Sequence, residues 1–130
     1  MKIEIDLPEP PSANRYWRIG RGRIFTSAEA NAFKAEVMRR VVEQGYRDRG
    51  LFPFPSGKAI VVSLVWLRSR RAGDLDNRIK VALDALNRVL WADDDQIVEL
   101  HAYRMDSPRH GGLILTVEDF KEYGKLDVSA

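Results

Sequence analysis

The segment Ala59–Leu67 is apolar at every position except Ser63 and is rich in β-branched residues. A run of this kind reads as a central strand with cover on both faces. It is also too short to cross a bilayer, which takes about 20 apolar residues. A polar turn, Arg68–Gly73, follows it. Leu75, Ile79, Leu83, Leu86 and Leu90 then recur at helical spacing, so the buried strand hands over to an amphipathic helix across a charged turn. The remaining elements arrange themselves around this pair. Ile3, Ile5 and Leu7 alternate with charged residues and predict a half-buried strand, which Pro8, Pro10 and Pro11 end. Asn14–Phe25 carries aromatics, arginines and glycines and reads as an exposed loop or ribbon. Thr26-x-x-Glu29 matches a capping box for a helix running to about Gln44, ahead of Gly45. Ile97–Met105 and Leu113–Val117 read as strands joined by a hairpin, with Val98, Leu100 and Ala102 on one face. Asp119–Ala130 reads as a short cap or tail. The order β-loop-α-β-α-β-β predicts an α+β fold, a mixed sheet packed with two main helices, in a single domain spanning residues 1–130.

Charge is nearly balanced in total and uneven in place. The 21 Lys and Arg against 19 Asp and Glu leave a net charge of +2. Yet Arg15, Arg18, Arg21 and Arg23 fall in a stretch without acids, and Arg68, Arg70 and Arg71 form a second basic cluster. Such clusters suit either a polyanionic partner or a solvated surface. The chain has no cysteine, which excludes a disulfide framework, a thiol nucleophile and thiolate metal sites. The alternating start, Met1–Asp6, does not have the form of a secretory signal, and with no membrane span in view the expected location is cytoplasmic.

The densest chemistry lies at the strand-to-helix turn. Asp74 and Asp76 stand two apart, Asn77 follows, and Lys80 and Asp84 come at successive helical turns beyond Asp76. The pattern reads either as a helix cap followed by i,i+4 ion pairs or as a cation site. Asp93, Asp94 and Asp95 lie just past the second helix, where the helix dipole disfavours acids, so a hard divalent cation such as Mg²⁺ would account for them. An exposed acidic turn is the competing account. If the strand that begins near Ile97 extends back through this turn, Asp94 points opposite to Asp93 and Asp95. Other motifs fail. An EF-hand begun at Asp93 would place Val98 and Arg104 where Gly and Glu are required. Arg78 stands where an Asp-x-Asp phosphatase carries Thr or Val, and no P-loop is present. His101 and His110 neighbour no nucleophile in sequence.

Gly73-Asp-Leu-Asp-Asn-x-x-Lys-x-x-x-Asp-Ala-Leu86 followed by Asp-Asp-x-Gln-Ile ending at Ile97 resembles the RusA family of Holliday junction resolvases. Pro10-Pro11-Ser12-Ala13-Asn14 and Thr26-Ser27 add to the likeness, which runs from about Leu7 to Val117. The resemblance implies a homodimeric, Mg²⁺-dependent endonuclease of bacterial or prophage origin, with Mn²⁺ as a substitute, that nicks four-way DNA junctions symmetrically in recombination and repair. It places the paired catalytic and metal-holding aspartates on Asp74 and Asp76 and the catalytic lysine on Lys80. The third aspartate belongs to the Asp-Asp-x-Gln motif. Anchoring on Trp91 and Gln96-Ile97 selects Asp94, whereas an ungapped count reaches Asp95. Arg15, Arg18, Arg21, Arg23, Arg68, Arg70 and Arg71 would meet the phosphates of the arms. Tyr16, Trp17 and Phe25 would either stack on unpaired bases or pack in the core or a dimer interface. A non-catalytic DNA-binding protein of the same fold, and a phosphoesterase acting on small nucleotides, are the competing classes.

Overall fold

The computed structural model describes residues 1–20, 22–47 and 50–121. Its centre is a four-stranded sheet in the order β1-β6-β4-β5, formed by β1 (Lys2–Leu7), β4 (Ile60–Arg68), β5 (Ile97–Asp106) and β6 (Gly112–Asp119). β4 lies antiparallel to β6 and parallel to β5, so the sheet is mixed. The helix α3 (Leu75–Leu86) makes the crossover between the parallel strands β4 and β5, as a parallel pair requires. α2 (Ala28–Glu43) is the other main helix. Before it come the single turn α1 (Ala13–Tyr16) and a two-stranded ribbon, β2 (Trp17–Gly20) with β3 (Arg23–Thr26).

One core joins these parts. Ile60, Val62, Leu64 and Trp66 point from β4 to the same side as Ile3, Ile5 and Leu7 of β1 and Leu113, Leu115 and Val117 of β6. Phe33, Val37 and Val41 of α2 and Ile79, Ala82 and Leu86 of α3 close over that side. Leu64 is fully buried, so Leu64→Ala should destabilise the protein by about 2–5 kcal/mol. A lower denaturant midpoint with an unchanged slope would register it.

Several expectations are corrected here. β4 is interior, yet only its helix-facing side is fully buried; Val61, Ser63, Val65 and Leu67 on the other side are half-buried. Flanking strands shield that side in part, while both main helices pack on the opposite one. β5 and β6 do not form a hairpin, because β4 lies between them. Val98 falls at a register shift beside Ile60/Val61, and Leu100 and Ala102 continue alongside Val62 and Leu64. The cap of α2 is Ser27 rather than Thr26: its hydroxyl accepts from the Ala30 N–H, while Thr26 stays paired with Trp17 in the ribbon. α3 stops at Leu86, a turn before Leu90, because Asn87 leaves the helical region at ψ 129° and Arg88 takes φ 65°. Residues 122–130, on which most of the expected cap or tail falls, lie outside the described residues, as does Arg21.

Candidate active site

Asp74 occupies the N-cap position of α3 but makes no side-chain cap bond, and Asp76 sits in the first turn. Both are exposed, as is Lys80. Among the described residues none of these three side chains has a hydrogen-bond or ion-pair partner. The i,i+4 ion pair that would have made Asp76 and Lys80 a surface ornament is therefore not formed. The two carboxylates at the mouth of α3 are uncommitted, and they lie at the positive end of the helix dipole.

Asp84, two turns beyond Asp76 on the same helical stripe, is engaged. It accepts the Tyr16 hydroxyl, and Lys34 Nζ lies 3.4 Å from its Oδ2. Tyr16 is fully buried, edge-on to Trp17 at 4.7 Å between ring centroids, with Lys34 5.4 Å above its own ring. It is a packing residue, not a platform for bases. Burial, then the hydrogen bond and charge of Asp84, raise its pKa far above the ordinary tyrosine value, so the hydroxyl stays a donor. The Thr26-Ser27 pair explains how Tyr16 is placed. The Ser27 hydroxyl donates to the Arg15 carbonyl, and the Ser27 N–H donates to the Tyr16 carbonyl at 2.9 Å. Sequence spacing put Asp84 on the Asp76–Lys80 stripe; its partners came only with the fold.

The acidic run is not a continuation of β5. Asp94–Gln96 forms a 3₁₀ turn capped by Asp93, whose carboxylate accepts from the Asp95 N–H at 3.2 Å. The strand-like alternation expected of these acids therefore does not apply. Nor do they sit on the end of α3, because residues 87–92 intervene. Gln96, buried, holds the turn with both ends of its amide. Its Oε1 accepts from the N–H groups of Ala92 and Asp93, each at 2.9 Å, and its Nε2 donates to the carbonyls of Phe54, Pro55 and Lys58. Trp91, also buried, donates from Nε1 to Asp94 Oδ1 at 2.8 Å. Asp94 is exposed as a residue, but its carboxyl is tucked against that indole. Its pKa is raised, chiefly by burial and further by Asp93 and Asp84; the Trp91 bond opposes this. The Asp95 side chain is exposed and has no partner among the described residues. Within those residues no three His, Asp or Glu side chains converge as a ready metal cage.

The basic residues divide by environment. Arg68 is nearly buried and bound to Asp106 at 2.7 Å, an ion pair across the end of the β4–β5 ladder. Arg70 and Arg71 are exposed. Arg15 and Arg70 line one cleft of about 370 Å³ with Ser12, Gly73 and Arg78, so the two arginine clusters of the sequence meet beside the residue that precedes Asp74. Arg18 and Arg23 hold register positions on the ribbon, opposite Phe25 and Gly20 respectively. His101 is exposed and 2.9 Å from Glu99, and His110 lies in the exposed turn before β6.

Residues 8–118 match the family model described as "Endodeoxyribonuclease RusA". The chain is 38% identical over 119 residues to the crossover junction endodeoxyribonuclease RusA of Escherichia coli (strain K12), covering 88% of this chain and 92% of that protein. The protein of the same name from Shigella sonnei (strain Ss046) is also 38% identical over those shares. That of Enterobacteria phage 82 is 37% identical over the same shares.

Proposed function

The chain belongs to the RusA endodeoxyribonuclease family, and on that premise we propose that it resolves four-way DNA junctions by paired, symmetric, Mg²⁺-dependent nicks as a homodimer. The observation that carries this reading is the pair Asp74 and Asp76: exposed and without partners among the described residues, at the mouth of a helix beside a cleft lined by Arg15, Arg70 and Arg78 together with Glu9 and Glu29. The donor chemistry fits the ion. Mg²⁺ takes hard oxygen ligands and commonly uses one or two carboxylates, leaving its other positions to water and substrate phosphate. Asp74 and Asp76 would hold it, with Asp94 as the third carboxylate. When bound it would neutralise phosphate charge and lower the pKa of an attacking water.

The chain's own residues supply the rest. Lys80, one turn above Asp76 and free of any carboxylate partner among the described residues, can bring positive charge to the phosphate as negative charge develops. Gln96 and Trp91 hold the Asp94 turn rigid. Arg15, Arg70 and Arg71 are exposed and, among the described residues, form no hydrogen bond or ion pair with a carboxylate, so they can meet the arms, with Arg18 and Arg23 of the ribbon as further contacts, whereas Arg68 is engaged by Asp106. Two copies related by a two-fold axis match the near two-fold symmetry of a four-way junction. The family belongs to bacteria and phage among the relatives above, and no described helix is long and apolar enough to cross a membrane.

The test is cleavage of an end-labelled four-way junction with and without Mg²⁺, with strand mapping and sedimentation to count subunits. Paired cuts in opposing strands by a dimer support the reading; binding without cutting would favour the non-catalytic class. A companion result concerns the arginines. Replacing Arg70 and Arg71 with Ala should weaken junction binding and reduce the salt-dependence slope by about 0.9 per lost phosphate contact. An unchanged slope would place both side chains away from DNA. It would also favour a phosphoesterase for small nucleotides, which needs no such surface.

A further inference from the structure

Glu9 lies outside the motif, yet its carboxylate is held by hydrogen bonds from two residues of the strand and turn that lead to it. Its Oε2 accepts from Trp66 Nε1 at 2.9 Å and from the Ser69 N–H at 3.1 Å, and its Oε1 accepts from the Ser69 hydroxyl at 2.6 Å. Trp66 ends the buried row of β4, and Ser69 opens the turn that leads to Asp74. Glu9 thus meets the edge of the indole, and Arg78 lies over its face, the guanidinium carbon 4.8 Å from the ring centroid. Arg78 donates to the carbonyl of Pro10, the residue after Glu9, and its Nε is buried with no hydrogen-bond partner among the described residues. The indole and the guanidinium stacked on it are thus bound to consecutive residues of the proline turn, Glu9 and Pro10.

This bracket encloses the start of the motif. Gly73 has φ +100°, and a Cβ there would come within 3.2 Å of Trp66 and 3.3 Å of Arg78. Only a glycine lets the chain pass so close to the stack while left-handed. Asp74 follows it directly, and the Arg78 N–H donates to the Asp74 carbonyl at 3.3 Å. On the far side, a Cβ at Gly111 would lie 2.5 Å from Glu9 Oε1, so the turn before β6 also closes on the bracket. The hydrogen bonds from Ser69 and Trp66 keep the Glu9 pKa below the usual carboxylate value despite its burial, and Arg78 adds to this.

We propose that Glu9 is a positioning residue for cleavage: with Trp66, Ser69 and Arg78 it fixes the Ser69–Gly73 turn so that Asp74 and Asp76 are presented in one geometry. The inference rests on the nuclease reading above and adds a residue from outside its motif. A misplacement of about 1 Å can lower a rate on the order of 100-fold without loss of binding. Glu9→Ala removes three acceptor contacts from donors that no other side chain replaces. Glu9→Gln is the discriminating partner. Its amide oxygen can keep the Trp66 and Ser69 N–H bonds, and its amide nitrogen can donate to the Ser69 hydroxyl.

The experiment is single-turnover cleavage of a labelled four-way junction by the full chain at saturating DNA and Mg²⁺, with the junction Kd measured alongside. Parent protein on the same gel separates the two ideas: a parent that does not cut refutes the nuclease reading itself. Given a cutting parent, Glu9→Ala should slow cleavage by about 10- to 100-fold with Kd within about threefold, and Glu9→Gln should recover to within about threefold of parent. Glu9→Ala cutting within about twofold of parent would overturn the proposal. So would equal losses in both variants, or a rate loss matched by a Kd loss. Should Glu9→Ala not fold at the assay temperature, Arg78→Lys decides. It keeps the charge but not the combined stack and fork, and should slow cleavage by about tenfold at unchanged Kd; parent-like cutting by it would equally refute the bracket.

Discussion

Asp76→Asn is expected to lower the single-turnover rate of junction cleavage by at least about 10³-fold at saturating Mg²⁺, while the junction Kd changes by less than about threefold; a loss of that size is about 4 kcal/mol of barrier. The reason lies in what the side chain does not do. It caps no backbone group and pairs with no lysine among the described residues, so its removal leaves no buried donor orphaned and the fold should be indifferent. Asparagine keeps the shape and gives up the charge. DNA affinity rests mainly on arginines and phosphates, and one fewer repulsive carboxylate will not weaken it. Asp74→Asn should behave alike. A linked measurement needs no DNA: Mg²⁺ should raise the melting temperature of the parent through ligand linkage and do so much less in Asp76→Asn. Parent-like cutting by Asp76→Asn would remove Asp76 from the metal-binding set.

The second large effect separates two neighbours. Asp94→Asn should abolish detectable cleavage and Asp95→Asn should leave most of it. Asp94 is held by the indole of Trp91 on a turn clamped by Gln96, whereas Asp95 faces solvent. Stability should move the other way. Burial, with Asp93 and Asp84 nearby, raises the Asp94 pKa in the folded protein. The folded state therefore holds that proton to a higher pH than the unfolded chain does. Stability from this group is fullest below the ordinary carboxylate range and falls as pH rises through the raised value. Without metal, Asp94→Asn should melt higher than the parent at neutral pH, and the gap should close in acid, where the parent's own carboxyl is protonated. The asparagine oxygen can still accept from Trp91, which keeps the comparison clean. An active Asp94→Asn beside an inactive Asp95→Asn would show that the ungapped count names the right acid.

Local pattern was enough for much of this molecule. The apolar row of β4, the leucine spacing of α3 and the alternation of β1 each follow from a side-chain period that is a property of the segment alone. The Gly-Asp-Leu-Asp-Asn and Asp-Asp-x-Gln segments named the family for the same reason: their information is contiguous. What the pattern could not contain was anything set by a partner distant in the chain. The β5–β6 pair looked like a hairpin because the two strands adjoin in sequence, yet β4, some fifty residues earlier than β6, takes the place between them. Tyr16 stood between base stacking and packing until the core enclosed it and Asp84, 68 residues away, received its hydroxyl. The motif anchor preferred Asp94 to Asp95, but the different surroundings of the two acids, a 3₁₀ turn and an indole at Asp94, came only with the fold. Glu9 carried no signal at all, because its three donors lie 57 to 60 residues further along. Periodicity and contiguous motifs record what a residue can become; desolvation, charge neighbours and hydrogen-bond partners are fixed by packing between segments, and only the tertiary structure decides them.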